Sequence, residues 1–583
     1  MKKITRRTLN NFQRFSDEIP SALQRIYAAR GVSKPEEVNL QLSHLIPAGQ
    51  LKGLDDALAL LQQALQDRWR ILIVGDFDAD GATSSALSVL ALRALGAAHV
   101  DYLVPNRFEY GYGLTPEIVA VASQSQPDLL ITVDNGISSI AGVQAAKEAG
   151  MKVLVTDHHL PGKELPQADA IVNPNQPGCP FPSKNLAGVG VIFYVMTALR
   201  TQLQQAGWFA SQGIAVPNMA DYLDIVALGT VADVVPLDHN NRILVEHGLR
   251  RIRANRCRPG IAAIIEVAKR NQSRLVSSDL GFAIGPRLNA AGRLDDMSHG
   301  IECLLEDNPR LARGMAIELD QLNHDRKAIE FSMQNEALAA LNQLQFSEDQ
   351  LPWGLCLFRK DWHQGVIGIL ASRIKERFHR PVIVFAPGDA GAAANPMNGS
   401  EVKGSARSIP GLHIRDALDA VAARNPGLIS KFGGHAMAAG LSLPIENLET
   451  FKQAFDNQVR SMISEDDLTG EVLSDGELQT EELDLSFARL LRDAGPWGQG
   501  FPEPVFDGQF ELLEQRIVGE KHLKMVLTVP QSNRLMDAIA FNVDLAQWPN
   551  HKAKRVHLAY RLDVNEYRGV ENPQMMVEHL QAL

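Results

Sequence analysis

Three carboxylates at alternate positions, Asp76, Asp78 and Asp80, follow the aliphatic run Ile71 to Val74 and precede Gly81 and a helix-like stretch from Ala82 to Leu95. Acids crowded at one strand end repel each other and lose hydration together, so the segment makes physical sense chiefly with a cation among them. The same Asp-x-Asp-x-Asp-Gly spacing opens a helix–loop–helix calcium site. That site requires a bidentate Glu at its twelfth position, and counting from Asp76 gives Leu87. Asp78-Ala-Asp80-Gly81-Ala82-Thr83 also comes within one residue of the pattern used by aspartyl-phosphate enzymes.

Residues further along decide between these readings. Leu129 to Val133 runs into Asp134-Asn135-Gly136, Val153 to Thr156 runs into Asp157-His158-His159, and Asp233 follows the apolar stretch Tyr222 to Leu228. One acid at a strand end is ordinarily a cap or a turn former. Three strand ends that all carry Asp or His point to a shared site. Asp78, Asp80, Asp134, His158 and Asp233, with Asp76, Asp157 and His159 near them, are too many ligands for one ion and suit two. Two cations about 3.5–4 Å apart, bridged by a carboxylate, activate water against a phosphate ester. Carboxylates alone suit Mg2+, whereas added imidazole shifts the preference toward Mn2+. An aspartyl-phosphate mechanism needs none of the downstream residues and is set aside. Adjacent side chains point differently, so His158 and His159 are not expected to serve the same ion.

Hydrophobic periodicity supplies the elements that must position these residues. Strands are predicted at 71–75, 99–104, 128–133, 151–155 and 170–173, alternating with helices at 82–95, 115–125 and 139–149. That alternation implies a parallel sheet with helices on both faces and ligands beyond the carboxyl ends of its strands. Residues 310–343 place Met315, Leu319, Leu322, Ile329 and Met333 at helical spacing and predict one long helix. A second α/β unit is expected over about 350–460. An acidic linker, Glu465 to Glu482, then leads to short alternating runs of the kind that close a small barrel of the OB type. In that barrel Lys521, His522, Lys524, Tyr560, Arg561, Tyr567 and Arg568 could supply charge and stacking for a single strand.

The chain has 583 residues, 45% hydrophobic and 21% charged, which is the composition of a soluble globular protein of three or four domains. No apolar stretch long enough to span a bilayer is found, so a cytoplasmic protein with no membrane contact is expected. Cys179, Cys257, Cys303 and Cys356 lack metal or disulfide spacing and are expected to be reduced. The net charge of −11 argues only weakly against a nucleic-acid partner, because local patches set the field a polymer feels. Nine Lys or Arg between Arg242 and Arg274 are a candidate phosphate-facing surface, with a solvated helix face as the alternative.

Asp76-Phe-Asp78-Ala-Asp80-Gly81, Val133-Asp134-Asn135-Gly136, Asp157-His158-His159 and Val231-Ala-Asp233 resemble, in that order, the four motifs of the DHH phosphoesterase superfamily. Gly188-Val-Gly190 after Ala187 is similar to its RecJ branch, the 5′→3′ exonucleases acting on single-stranded DNA in repair and recombination. The resemblance implies an α/β protein: a helical lead-in (1–50), a DHH catalytic domain with a parallel sheet (51–300), a connector helix (301–345), a second α/β domain of DHHA1 type (346–462) and a C-terminal OB-like β-barrel (463–583). It implies two Mn2+ ions, with Mg2+ as alternative, on Asp78, Asp80, Asp134, His158 and Asp233, with Asp134 bridging. Asp76, Asp157 and His159 would support the ligands or touch the scissile phosphate. Arg107, in a loop expected to approach the DNA, and Arg287 and Arg293, in a Gly- and Ala-rich loop, would contact substrate. From the DHHA1 domain, which closes over substrate in the family, Arg373, Arg407 and the Gly433-Gly434-His435 turn would do the same. The expected partners are single-stranded DNA with a free 5′ end and a single-stranded-DNA-binding protein, and the expected state is a monomer. The rivals are a superfamily phosphodiesterase for short oligonucleotides or cyclic dinucleotides, and a noncatalytic DNA-binding scaffold.

Overall fold

The computed structural model describes residues 3–8, 17, 19–105, 113–343, 351–388, 401–532, 534–545 and 547–583. They form two compact units, one of residues 322–472 and the other of residues 4–321 together with 473–583.

The larger unit opens with a short strand, β1 (Lys3–Arg6), and helix α1 (Ser21–Ala28). An α/β run follows: α2 (Leu54–Gln66), β2 (Arg70–Val74), α3 (Ala79–Ala94), β3 (His99–Leu103), α4 (Pro116–Ala122), β4 (Leu129–Val133), α5 (Ile140–Glu148), β5 (Lys152–Thr156) and β6 (Ala170–Val172). The five strands from β2 to β6 pair in parallel in the order β3-β2-β4-β5-β6. All five residues of β4 are buried, as a strand covered on both faces requires. Helix α3 carries Ala, Ser and Leu on every side and is buried along nearly its whole length, packed against helices α6 (Gly188–Gln205) and α8 (Leu223–Ala232). Chain order reverses around β2, which leaves the switch-point crevice beyond the carboxyl ends of β2 and β4.

The remaining helices of this region are α7 (Trp208–Gln212), α9 (His239–Arg253), α10 (Pro259–Val267), the single turn α11 (Ser277–Asp279), α12 (Gly285–Leu294) and α13 (Ser298–Leu305), with a π-helical turn at Leu280–Ile284. The segment expected as a loop around Arg287 is therefore helical. Pro286 sits where the π-helical turn passes into α12, and Leu288, Ala290 and Ala291 bury the inner face of that helix. The long helix is confirmed as α14 (Pro309–Gln343).

In the smaller unit β7 (Leu355–Phe358), α15 (Ile367–Phe378), β8 (Val382–Pro387), β9 (Glu401–Arg407), α16 (Ile414–Arg424), β10 (Lys431–Gly434), β11 (Ala438–Pro444) and α17 (Leu448–Met462) build a mixed sheet of order β10-β11-β9-β8-β7. Met333 and Ala337 of α14 join a core with Leu355, Ile367 and Leu370. Gly433 and Gly434, expected in a turn, end strand β10, and only His435 lies in the hairpin. The acidic linker is also more ordered than expected. It holds β12 (Glu471–Ser474) between short turns at Asp466–Leu468 and Thr480–Glu482.

After α18 (Leu485–Asp493), strands β13 (Phe506–Val518), β14 (His522–Thr528), β15 (Leu535–Ala540), β16 (Arg555–Tyr567) and β17 (Val570–Ala582) close into a barrel. Among the described residues, no helix is long and apolar enough to cross a membrane.

Candidate metal centre

The α/β run delivers its acids and imidazoles to the switch-point crevice. Asp76 is buried directly after β2. Asp78 caps α3, its Oδ1 accepting from the N–H groups of Asp80 at 2.9 Å and Gly81 at 3.0 Å. Asp80, in the first turn, is buried and accepts from the N–H groups of Gly188 at 2.6 Å and Val189 at 3.0 Å, the first two of α6. Asp134 leaves β4 in the left-handed region, φ 62°, and Asp233 ends α8. His158 Nε2 lies 3.0 Å from Asp134 Oδ1, 3.4 Å from Asp233 Oδ2 and 4.0 Å from Asp80 Oδ2.

Candidate ligand atoms fall into three groups, each within 4.8 Å: Asp80, His158 and Asp233; Asp76, Asp78 and Asp134; and Asp134, His158 and His159. Asp134 and His158 each belong to two of them, and Asp134 meets the Asp80 group through its 3.0 Å contact with His158. Asp76, placed in a supporting role from sequence, stands among the ligand atoms. The two histidines, expected to diverge, have ring centroids 4.5 Å apart.

The electrostatics fit a cation-binding cluster. With no cation present, burial, then the charge of Asp78, pushes the Asp80 carboxyl up to about 7. Burial, then the crowd of neighbouring carboxylates, raises Asp134 and Asp233 well above the ordinary range. Bound divalent ions would reverse that cost, and mixed carboxylate and imidazole donors are the chemistry such ions take.

Asp157 differs. Burial alone would raise its carboxyl, but the hydrogen bond and charge of His159, the charge of His158 and the N–H of Ile137 bring it below the usual value. It accepts from the N–H groups of Ile137 at 2.9 Å, His158 at 2.7 Å and His159 at 3.1 Å, and meets His159 Nδ1 at 2.8 Å. Burial opposes a charge on His159, yet that contact with Asp157 carries it up to about 9. Asp157 thus holds the two histidines in place.

Sequence reading missed the residues that support this shell. Asn135 donates to the carbonyls of Val74 at 3.1 Å and Val133 at 2.9 Å, tying the ends of β2 and β4 together. Asn175 holds the carbonyl of His158 at 2.6 Å, Asn173 that of His159 at 2.9 Å, and Asn289 Oδ1 accepts from the N–H of Ala79 at 2.9 Å. Apart from the bond of Asn135 to Val133, each works through a main-chain contact remote in sequence, and no local pattern signals that.

The expected substrate residues are placed as follows. Arg107 lies outside the described residues. Arg287 is buried, with Nε 2.9 Å from Asp320 Oδ1 and Nη1 on the carbonyl of Ala283 at 2.5 Å. Its carboxylate partner is Asp320, whose Oδ1 also lies 2.8 Å from Nη2. Arg293 sits in the last turn of α12. Arg373 pairs with Glu330 at 3.0 Å. Arg407 ends β9, donates to Ser405 Oγ at 3.1 Å and the carbonyl of Ala406 at 2.8 Å, and forms no ion pair among the described residues. Gly434, at φ 145°, admits no side chain, since a Cβ would lie 2.5 Å from the Ala438 carbonyl oxygen, whereas one at Gly433 would meet open space.

A parallel sheet with this carboxylate–imidazole cluster at its switch point defines a metal-dependent phosphoesterase of the DHH class. Residues 70–230 match the DHH family N-terminal domain, residues 353–461 the DHHA1 domain and residues 474–579 the RecJ OB domain. The chain is 57% identical to the single-stranded-DNA-specific exonuclease RecJ of Dickeya dadantii, over 97% of each chain, and 55% identical to that of Escherichia coli K12, over 99% of each. The crystal structure of RecJ from Thermus thermophilus in complex with Mn2+ matches with a TM-score of 0.78 at 30% identity, covering 97% of this chain and 76% of that one. A Mg2+ complex of RecJ from the same organism matches with a TM-score of 0.72 at 29% identity, covering 97% of this chain and 75% of that one. The chain belongs to the RecJ family of single-stranded-DNA-specific exonucleases.

Proposed function

We propose that the protein degrades single-stranded DNA from a free 5′ end, releasing mononucleotides by metal-dependent hydrolysis in DNA repair and recombination. The observation that carries this reading is the convergence of Asp76, Asp78, Asp80, Asp134, His158 and Asp233 in one switch-point crevice, with Asp134 shared between two ligand groups. Two divalent cations held there, Mn2+ by preference, would neutralise the phosphodiester oxygens and lower the pKa of an attacking water. Asp80, His158 and Asp233 would hold one, Asp76 and Asp78 the other, and Asp134 both. Asp157 aligns His158 as a ligand and engages His159 through Nδ1, which orients the His159 ring for contact with a phosphate oxygen.

Substrate contacts are assigned to Arg107, Arg287, Arg293, Arg373, Arg407, Gly433, Gly434 and His435. Arg407 is the strongest of these for a terminal phosphate, because burial lowers the pKa of its guanidinium and no carboxylate among the described residues pairs with it. The open main chain at Gly433 suits close approach of a phosphate. A monomeric cytoplasmic enzyme working beside a single-stranded-DNA-binding protein completes the proposal.

The test compares end-labelled single strand, blunt duplex and closed single-stranded circle, each with Mn2+ and with Mg2+. The 5′-terminal nucleotide is expected first, with duplex used poorly and the circle left intact. Release of the 3′-terminal nucleotide first, or efficient cutting of the circle, overturns the reading.

A further inference from the structure

The Gly188-Val189-Gly190 motif opens α6 and contributes no ligand, yet it touches two of the ligands directly. The N–H groups of Gly188 and Val189 both close on the Asp80 carboxylate, at 2.6 and 3.0 Å. The bare Cα of Gly188 is pressed against Asp134: a Cβ there would lie 2.6 Å from Asp134 Cβ and 2.9 Å from its Cα and Cγ. Carbon atoms rest about 3.5–4.0 Å apart, so any side chain at position 188 would displace Asp134 by roughly 1 Å. Asp134 has little room to yield. Its main chain is in the left-handed region, β4 fixes it on one side, and the amide of Asn135 ties the other side to Val74 and Val133. Gly229 of α8 also closes on Asp80 and on Val189, where a Cβ would lie 2.9 Å from Asp80 Oδ1 and 2.8 Å from Val189 Cγ1.

We propose that the first turn of α6 sets the separation of the two ligand groups: its paired N–H donors lock Asp80, and the absent side chain of Gly188 fixes how closely Asp134 approaches. Gly188 is then a positioning residue for the metal pair. Backbone conformation does not explain the glycine, because Gly188 lies in a helix, where alanine is preferred. Gly190 provides the internal control. The nearest atoms to a Cβ there would belong to the Leu186 side chain, no closer than 3.2 Å.

This inference rests on the two-cation reading of the cluster, and one experiment separates the two. The full chain, freed of metal by chelation, is titrated with Mn2+ while free ion is read by electron paramagnetic resonance, with thermal unfolding and steady-state kinetics on single-stranded DNA in parallel. Failure of the unaltered protein to bind two ions would defeat the reading of the site itself. Given two ions, Gly188→Ala is expected to fold, to bind Mn2+ about 10–100-fold more weakly and to lose kcat by a similar factor, with KM for DNA unchanged. Gly190→Ala is expected to match the unaltered protein in both. A folded Gly188→Ala with an unaltered Mn2+ isotherm overturns the proposal. Should Gly188→Ala fail to fold, Val189→Pro decides, because it removes the donor to Asp80 Oδ1 within the first turn of α6, where a main-chain N–H has no partner in the helix itself. Weakened Mn2+ binding in folded Val189→Pro supports the proposal, and an unaltered isotherm overturns it.

Discussion

Asp134 holds a carboxylate in a place that disfavours one until a cation arrives. Its raised pKa means that between the unfolded value and the folded value the native state holds a proton that the unfolded chain has released, so stability falls as pH rises through that window. The same holds for Asp80 from about pH 4 to its folded value of about 7. Metal-free Asp134→Asn is therefore expected to melt at a higher temperature than the unaltered protein at pH 8, with the difference vanishing near pH 3, where the carboxyls are protonated in both states. Thermal unfolding in chelator at the two pH values checks this, and equal melting at pH 8 would refute it. The acids and imidazoles were legible in sequence because each follows an aliphatic run, a strand for all but Asp233, which ends the apolar helix α8. Gly188 and Asn289 were not interpretable, because one acts by having no side chain and the other by capping a main-chain group 210 residues away.

Among the elements, α12 shows where reading by composition fails. Glycine and alanine around Arg287 suggest a loop, but the burial of Leu288, Ala290 and Ala291 makes the segment a helix and draws the arginine onto Asp320. Arg287→Ala should accordingly cost about 1–3 kcal/mol of stability, through a broken and partly buried charged contact. Denaturant unfolding of the metal-loaded protein measures it, and a loss under about 0.5 kcal/mol, the range of ordinary surface changes, would show that the pair does not hold α12. Arg407, on strand β9, is expected to behave in the opposite way. Its charge is desolvated without a carboxylate partner among the described residues, so Arg407→Gln should leave stability unchanged or raised while slowing hydrolysis more on 5′-phosphorylated than on 5′-hydroxyl strands. Equal slowing on both ends would remove Arg407 from the terminal phosphate.

Across the whole larger unit, the barrel and the segment that leads into it are fastened to α1 and to the helical region around α9. Phe501 stacks between the Trp497 ring at 5.2 Å and the Arg242 guanidinium at 4.1 Å, with the Tyr27 ring 6.0 Å away. The N–H of Leu237, close after Asp233, donates to the carbonyl of Gln499 at 2.7 Å. Ion pairs from Arg274 to Glu566 and Glu571, and from Arg30 to Asp475, add to the joint. Several cations of the basic run from Arg242 to Arg274 meet carboxylates of the protein itself, Arg250 with Glu246, Arg251 with Asp221 and Arg258 with Asp307, while Arg250, Arg256, Lys269, Arg270 and Arg274 keep exposed side chains. Charge along a chain shows that cations exist but not whom they face. The barrel itself was legible from its alternating runs, yet Tyr560, offered for stacking, is a core residue, and Arg561 pairs with Glu503 and Glu578. Tyr567, 65% exposed, with the Arg568 guanidinium 5.2 Å from its ring, remains available. Truncation before α18 would also remove Trp497, Gln499 and Phe501, which meet Tyr27 and Leu237, so a finer change is preferable. Arg568→Ala is expected to weaken binding to long single strands and reduce the slope of log affinity against log salt by about 0.7, one phosphate contact. An unchanged slope measured by fluorescence anisotropy would exclude that contact.

Asp134 is proposed to hold two cations that together activate the phosphodiester for hydrolysis. The most direct test is Mn2+ stoichiometry and single-turnover hydrolysis of a 5′-labelled strand, measured on the same preparations of the unaltered protein and Asp134→Asn. Two ions per chain are expected in the first, and in the second a folded protein with fewer bound ions and hydrolysis reduced by at least about 100-fold. Folded Asp134→Asn that cleaves the strand at the unaltered rate would contradict the account.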